Sequence, residues 1–113
     1  GPEYDNSSLV SAKSYYENFK TRYPQDAGQY EIDKRLEQIE EQIAYKQYWL
    51  GQYYHKLNNL QSANLYYDMV IRDWPQSVGA ELAKRAMSNE RLNSKKETRW
   101  KKKVIKKFEK LFL

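Results

Sequence analysis

Residues 44–77 read AYKQYWLGQYYHKLNNLQSANLYYDMVIRDWPQS, and this stretch decides the fold. Up to Leu57 the apolar and aromatic residues recur at helical spacing. Asn58-Asn59 then supplies a turn, because asparagine tolerates the left-handed backbone that ends helices. A second helix is expected from Leu60 to about Arg72, folding back antiparallel on the first. Gly51 and Ala63 are small and are placed on facing helices, where they would let the two backbones approach closely. Leu50, Tyr54, Tyr67 and Val70 would fill the space around that contact. Pro75 cannot donate to the helical ladder and pushes Trp74 out of the α region, so it ends the pair.

Outward from this stretch, the chain repeats itself. A shift of 51 residues brings Ser11, Ala12, Tyr15, Tyr16, Pro24 and Gln25 onto Ser62, Ala63, Tyr66, Tyr67, Pro75 and Gln76. Each copy reads as a helix closed by aromatic-Pro, and the first is expected over 8–22. Between the copies a long helix is predicted from Tyr30 to Leu57. Its apolar residues Ile32, Leu36, Ile39, Ile43, Leu50, Tyr53 and Leu57 keep a seven-residue rhythm, with Lys46 the one gap. Glu37, Glu40 and Glu41, beside Lys34 and Arg35, read as a solvated face with i,i+3 and i,i+4 pairs. After Pro75 a further helix is predicted over 78–91, with Ser77 as its N-cap. Gly79 should weaken its first turn only modestly. Ser94-x-x-Glu97 is a capping box opening a last helix over 95–113. On that helix Trp100, Val104, Phe108, Leu111 and Phe112 share one face and lysines fill the other. No segment alternates as a strand would, so the class is all-α.

The spacing within 44–77 resembles the tetratricopeptide repeat at its 34-residue period, through Leu50-Gly51, Tyr54, Ala63, Tyr67 and Pro75. The resemblance implies antiparallel helix pairs stacked as a solenoid fragment. Residues 3–94 would then form the repeat domain: the second helix of a truncated repeat at 8–22, the complete repeat at 44–77 with its first helix extended back to about 30, and the helix 78–91. The basic helix 95–113 would pack upon it as a cap. The chain is also similar to the outer-membrane assembly lipoproteins of the BamD (ComL) type. That likeness rests on Ile43-Ala44-Tyr45, Leu50-Gly51-x-Tyr53-Tyr54, Ser62-Ala63-x-x-Tyr66-Tyr67 and Val70-Ile71-x-x-Trp74-Pro75-Gln76-Ser77. It implies a periplasmic protein, held at the outer membrane by an N-terminal lipid, whose partners are envelope and outer-membrane assembly proteins. The lysine-rich last helix departs from that pattern. Gly1-Pro2 reads as the remnant of a cleaved tag.

With first helices of tetratricopeptide pairs lining a concave surface, Tyr45, Tyr48, Gln52 and His55 are expected to face a partner-binding groove. Packing against a neighbouring repeat is the alternative for the same four. Composition narrows the chemistry further. There is no cysteine among the 113 residues, so thiolate metal sites and cysteine nucleophiles are excluded. The single histidine, His55, has no catalytic or metal-binding neighbour in sequence. No glycine-rich phosphate loop, nucleophile elbow or zinc spacing occurs. Neither catalytic nor cofactor residues are assigned, and the expectation is a non-enzymatic adaptor. The net charge of +5 is concentrated in the tail, where residues 95–113 hold nine basic residues against two acids. Lys101, Lys102 and Lys106 therefore keep open a second reading. In it the last helix meets an anionic membrane surface, an acidic partner or, on charge alone, nucleic acid. The truncated-repeat surface leaves homo-oligomers open too.

Overall fold

The computed structural model describes residues 6–88 and 94–112, with side chains in the last helix followed from 99 to 111. Among the described residues there are six helices and no strand: α1 (Ser7–Arg22), α2 (Pro24–Gln29), α3 (Ile32–Lys56), α4 (Leu60–Asp73), α5 (Val78–Met87) and α6 (Ser94–Phe112). The all-helical class is as the periodicity predicts. Helix α5 closes at Met87 with Ser88 as its C-cap, short of the predicted end at 91. The tag remnant at 1–2, residues 89–91, the Ser94–Glu97 side-chain cap and the Phe112 side chain lie outside the described residues and side chains.

The two copies of the repeat end alike. Tyr23 and Trp74 adopt φ/ψ of −131°/64° and −133°/60°. Each lies outside the α region, from which a following proline excludes it. Each still donates its N–H to the carbonyl four residues back, to Phe19 and Val70 respectively. Beyond the prolines the two copies diverge. Pro24 is itself the first residue of α2, where its missing N–H costs nothing, whereas Pro75 leads into a turn that Ser77 caps. The Ser77 hydroxyl donates to the Trp74 carbonyl and accepts from Ala80 N at 3.0 Å. Helix α2, absent from the sequence reading, is separated from α3 by Glu31 in the left-handed region at φ 53°. Asn58 is left-handed as expected (φ 59°), and Asn59 caps α4 by accepting from Ser62 N at 3.2 Å.

Helix α3 is the spine, about 37 Å long at 1.5 Å per residue. Lys13–Glu40 (2.7 Å) and Lys20–Asp33 (2.6 Å) run in opposite order, so α1 lies antiparallel along its first half. Tyr54 stacking on Tyr66 and Glu40 meeting Trp74 set α4 antiparallel along the rest. Helix α5 packs on both α3 and α4, and α6 touches α5 and α3. This arrangement is elongated, with a radius of gyration of 16.0 Å against about 13 Å for a compact domain of this length.

The change of partner along α3 corrects the predicted seam. Ile32, Ile39 and Ile43 are buried as the seven-residue rhythm requires, but Leu57 is 59% exposed and Leu50 only half-buried. Beyond Ile43 the buried line passes through Ala44, Tyr48 and Gly51 instead, because α4 and α5 approach from a different side than α1. The core is Ala44, Tyr48, Ala63, Tyr67, Val70, Val78, Leu82, Ala83 and Val104. Fully burying an aliphatic or aromatic side chain contributes about 1.5–3 kcal/mol, and Tyr67, Val70 and Val78 are the largest to be sealed completely.

The tight contacts are also redistributed. A Cβ on Gly51 would lie 2.4 Å from the Tyr67 ring, so Gly51 makes room for that ring rather than for Ala63. The close backbone approach occurs elsewhere. A Cβ on Gly79 would come 2.7 Å from the Ala44 carbonyl oxygen, so α5 rests directly on the α3 backbone. Gly79, read from sequence as a mild weakness, is the residue that permits this packing.

Candidate protein-interaction surface

Of the four residues assigned to a groove, two are covered. Tyr48 is 9% exposed, inside the core, with its ring stacked 6.1 Å from Tyr67. Tyr45 is half-buried with its ring 4.6 Å from that of Phe108, so α6 lies over it. The assignment of Tyr45 and Tyr48 to an open groove is therefore corrected. The α3 seam turns past Ile43, and the face bearing residues 44, 48 and 51 is the packed one.

Gln52 and His55, the other two, converge on one atom. Gln52 Nε2 donates to the Tyr67 hydroxyl at 2.6 Å, and His55 Nδ1 lies 3.2 Å from the same oxygen. Burial raises the Tyr67 phenol above its ordinary pKa, and the Gln52 bond offsets part of that rise. A buried hydroxyl without partners is costly, so these residues satisfy Tyr67 where it emerges from the core. His55 remains exposed at the rim.

A partly open aromatic surface lies one step round α3, with Trp49 exposed and Tyr53, Tyr54 and Tyr66 half-buried. Trp49 stacks on Tyr53 (6.1 Å), Tyr53 meets Tyr54 edge-on (5.2 Å), and Tyr54 stacks on Tyr66 of α4 (5.5 Å). Leu57 and Leu60, 59% and 52% exposed, flank the α3–α4 turn beyond it. Sequence reading missed it as a surface because Tyr53 and Leu57 sat on the assumed seam. The signal was present in the Trp49-x-x-x-Tyr53-x-x-x-Leu57 spacing.

Glu40 and Glu41 do not form the solvated face expected of them. Glu40 accepts from Trp74 Nε1 at 2.5 Å and pairs with Lys13. Desolvation pushes its pKa up, but the Lys13 and Trp74 bonds prevail and hold it below the ordinary value. Glu41, 9% exposed, accepts from Val78 N at 3.1 Å at the start of α5. Burial raises its pKa, against the opposing backbone bond. Together the two carboxylates tie α3 to the Trp74–Val78 turn, which sets Gly79 against Ala44. Glu41 lies three residues before Ala44, so its burial could have been found once the second seam was known.

Helix α6 turns Trp100, Val104 and Phe108 inward, with the Arg85 guanidinium 4.5 Å above the Trp100 ring and Lys107 bonded to Glu81 at 3.2 Å. Lys101, Lys102 and Lys106 are exposed on its outer side. Among the described residues no group of three or more His, Cys, Asp or Glu could hold a metal ion, and no helix is long and apolar enough to cross a membrane. Comparison of the chain with protein-family models, with curated proteins and with solved structures finds no match.

Proposed function

We propose that this protein is a non-catalytic helical adaptor of the tetratricopeptide type. It would bind other proteins through the aromatic ladder at the α3–α4 end. The observation that carries this reading is the ladder itself: Trp49, Tyr53, Tyr54 and Tyr66, each in ring contact with the next, on the helix pair whose turn exposes Leu57 and Leu60. Tyrosine and tryptophan give a large apolar contact with a polar tip and dominate protein-interface energetics. Trp49, Leu57 and Leu60 add exposed apolar area at that end of the helix pair, and clustered exposed apolar area is the mark of an interaction surface. The resemblance to BamD-type lipoproteins supports a periplasmic adaptor, tethered to the outer membrane by a lipid, with outer-membrane assembly proteins as its partners.

The outer face of α6 supports a second reading. Because Trp100 and Phe108 of α6 are packed inward, Lys101, Lys102 and Lys106 would meet an anionic membrane or nucleic acid by charge alone. Such attraction fades as ionic strength rises. Envelope extract is passed over immobilised wild type, over Trp49→Ala/Tyr53→Ala, and over a triple reversal of Lys101, Lys102 and Lys106 to Glu. The adaptor reading expects the aromatic variant to lose its partners and the charge variant to keep them. Loss only in the charge variant, together with salt-sensitive flotation on anionic liposomes, would replace it with the second reading.

A further inference from the structure

Helix α6 packs on α3 and α5 and on no other described helix. On the α5 side, Arg85 lies over Trp100 at 4.5 Å and Glu81 accepts from Lys107 at 3.2 Å. On the α3 side, the Tyr45 ring meets Phe108 at 4.6 Å and the Gln38 amide donates to the Leu111 carbonyl. In both sets the numbers run in opposite order, so α6 lies along the crevice between α3 and α5 and antiparallel to each. Tyr45, expected from the sequence to face a groove, does face one, and α6 fills it.

The crevice is chemically matched to a basic helix. Glu37 and Glu41 of α3 and Glu81 of α5 supply acids from both walls. Burial raises the pKa of Glu41 most, against the bond from Val78 N; Glu37 adds to the rise, Lys107 opposes it and Glu81 adds again. Lys107 is therefore the cation that α6 brings to this acidic wall.

The hold on α6 is shallow. Among the side chains from 99 to 111 only Val104 is buried; Trp100, Phe108 and Leu111 are half-buried and Ile105 is 40% exposed. Lys102–Lys106, Lys103–Lys107 and Lys106–Lys110 are like-charge i,i+4 pairs, which weaken the helix itself. Helices α3, α4 and α5 interlock without it, through Tyr67 over Gly51, Gly79 against Ala44 and Val78 N on Glu41.

We propose that the α3–α5 crevice is a recognition groove for basic amphipathic helices and that α6 is its autoinhibitory occupant, bound in cis. The groove reads an aromatic, an aliphatic and an aromatic residue at four-residue steps, as Trp100, Val104 and Phe108 present them, with a lysine directly before the second aromatic. A partner helix of that pattern must displace α6, so occupancy in cis lowers its apparent affinity. The groove shares no residue with the Trp49–Tyr66 ladder, and either can fail without the other.

The full chain carrying Val104→Asp/Phe108→Asp, which deprives α6 of its anchors, is titrated with a labelled peptide of residues 94–112. A free helix of this length is marginal in water, so the peptide is cross-linked across positions 102 and 106 on its outer face. The expected result is saturable binding below about 1 mM, at least about tenfold tighter than to wild type. Glu81→Lys in the opened chain should weaken it about threefold or more, and Lys107→Glu in the peptide should restore it. No binding to the opened chain, equal binding to wild type, or equal binding of a peptide with the same composition but its three anchors scattered round the helix overturns the proposal. Loss of α3–α5 hydrogen-exchange protection in the opened chain also overturns it, because α6 would then be a part of the core.

Discussion

Alanine in place of glycine should have opposite effects at two helical positions in this protein. In a helix interior the change contributes about 0.5–1 kcal/mol where space allows, by reducing backbone freedom in the unfolded chain. At Gly28 nothing lies within 4 Å of the added methyl, so Gly28→Ala should keep that gain and raise the thermal midpoint by a few degrees. At Gly79 the methyl would lie 2.7 Å from the Ala44 oxygen and 2.9 Å from its carbonyl carbon. Both are backbone atoms of α3 and cannot swing aside. Ordinary contact requires α5 to retreat by about 0.7 Å, and a gap of that size forfeits a quarter to a half of the dispersion energy of each contact it opens. Val78, Ala80, Leu82 and Ala83, all buried, would share that loss. Overpacking of this kind costs about 1–3 kcal/mol, which exceeds the propensity gain over most of that range. The expected outcome for Gly79→Ala is a midpoint lower by roughly 5–15 °C, at about 4–8 °C per kcal/mol for a domain of this size. Circular dichroism at 222 nm, in thermal and urea series, reads both variants against wild type. Equal or greater stability of Gly79→Ala would refute the close α3–α5 contact and the core built upon it.

Glu41 should make stability depend on pH in the direction opposite to an ordinary paired carboxylate. Its folded pKa lies above the ordinary glutamate value of 4.5, chiefly through burial. The folded state therefore binds the proton more tightly, and stability falls as pH rises from that ordinary value through the raised one. Glu41→Gln, which keeps an acceptor for Val78 N, should flatten that fall in urea midpoints taken between about pH 4 and 8, whereas Glu41→Ala should destabilise at every pH. Tyr67→Phe removes the oxygen shared by Gln52 and His55 and should cost about 1 kcal/mol in a urea titration with the fold otherwise intact. Phe108→Ala should loosen α6 from Tyr45, read as faster hydrogen exchange in α6 and at Tyr45 with α3–α5 protection unchanged.

Local chemistry in the sequence was enough to place five of the six described helices and the breaks at Tyr23, Asn58–Asn59 and Trp74. Proline after Tyr23 and Trp74 keeps those residues out of the α region whatever surrounds them, and Asn58, Asn59 and Ser77 cap by bonds to their own neighbours. The inward face of α6 likewise comes from the spacing of Trp100, Val104 and Phe108. Helix α2 escaped notice because its six residues are too few to show a period, and its break from α3 depends on Glu31 entering a left-handed conformation that its own side chain does not favour.

Read alone, the amino-acid order establishes that this chain is helical, where its helices stop, and that one aromatic-Pro unit occurs twice. Which face of α3 becomes core is settled by contacts between helices. A helix 25 residues long presents several apolar lines, and a seven-residue rhythm selects one of them only while a single partner runs alongside. Here α1 covers the first half and α4 with α5 the second. The buried line therefore turns at Ile43, carrying Tyr48 inward, leaving Trp49 and Leu57 outside, and bringing Glu41 under the start of α5. Those positions depend on which helices meet across the fold, and no local interaction along α3 encodes that meeting.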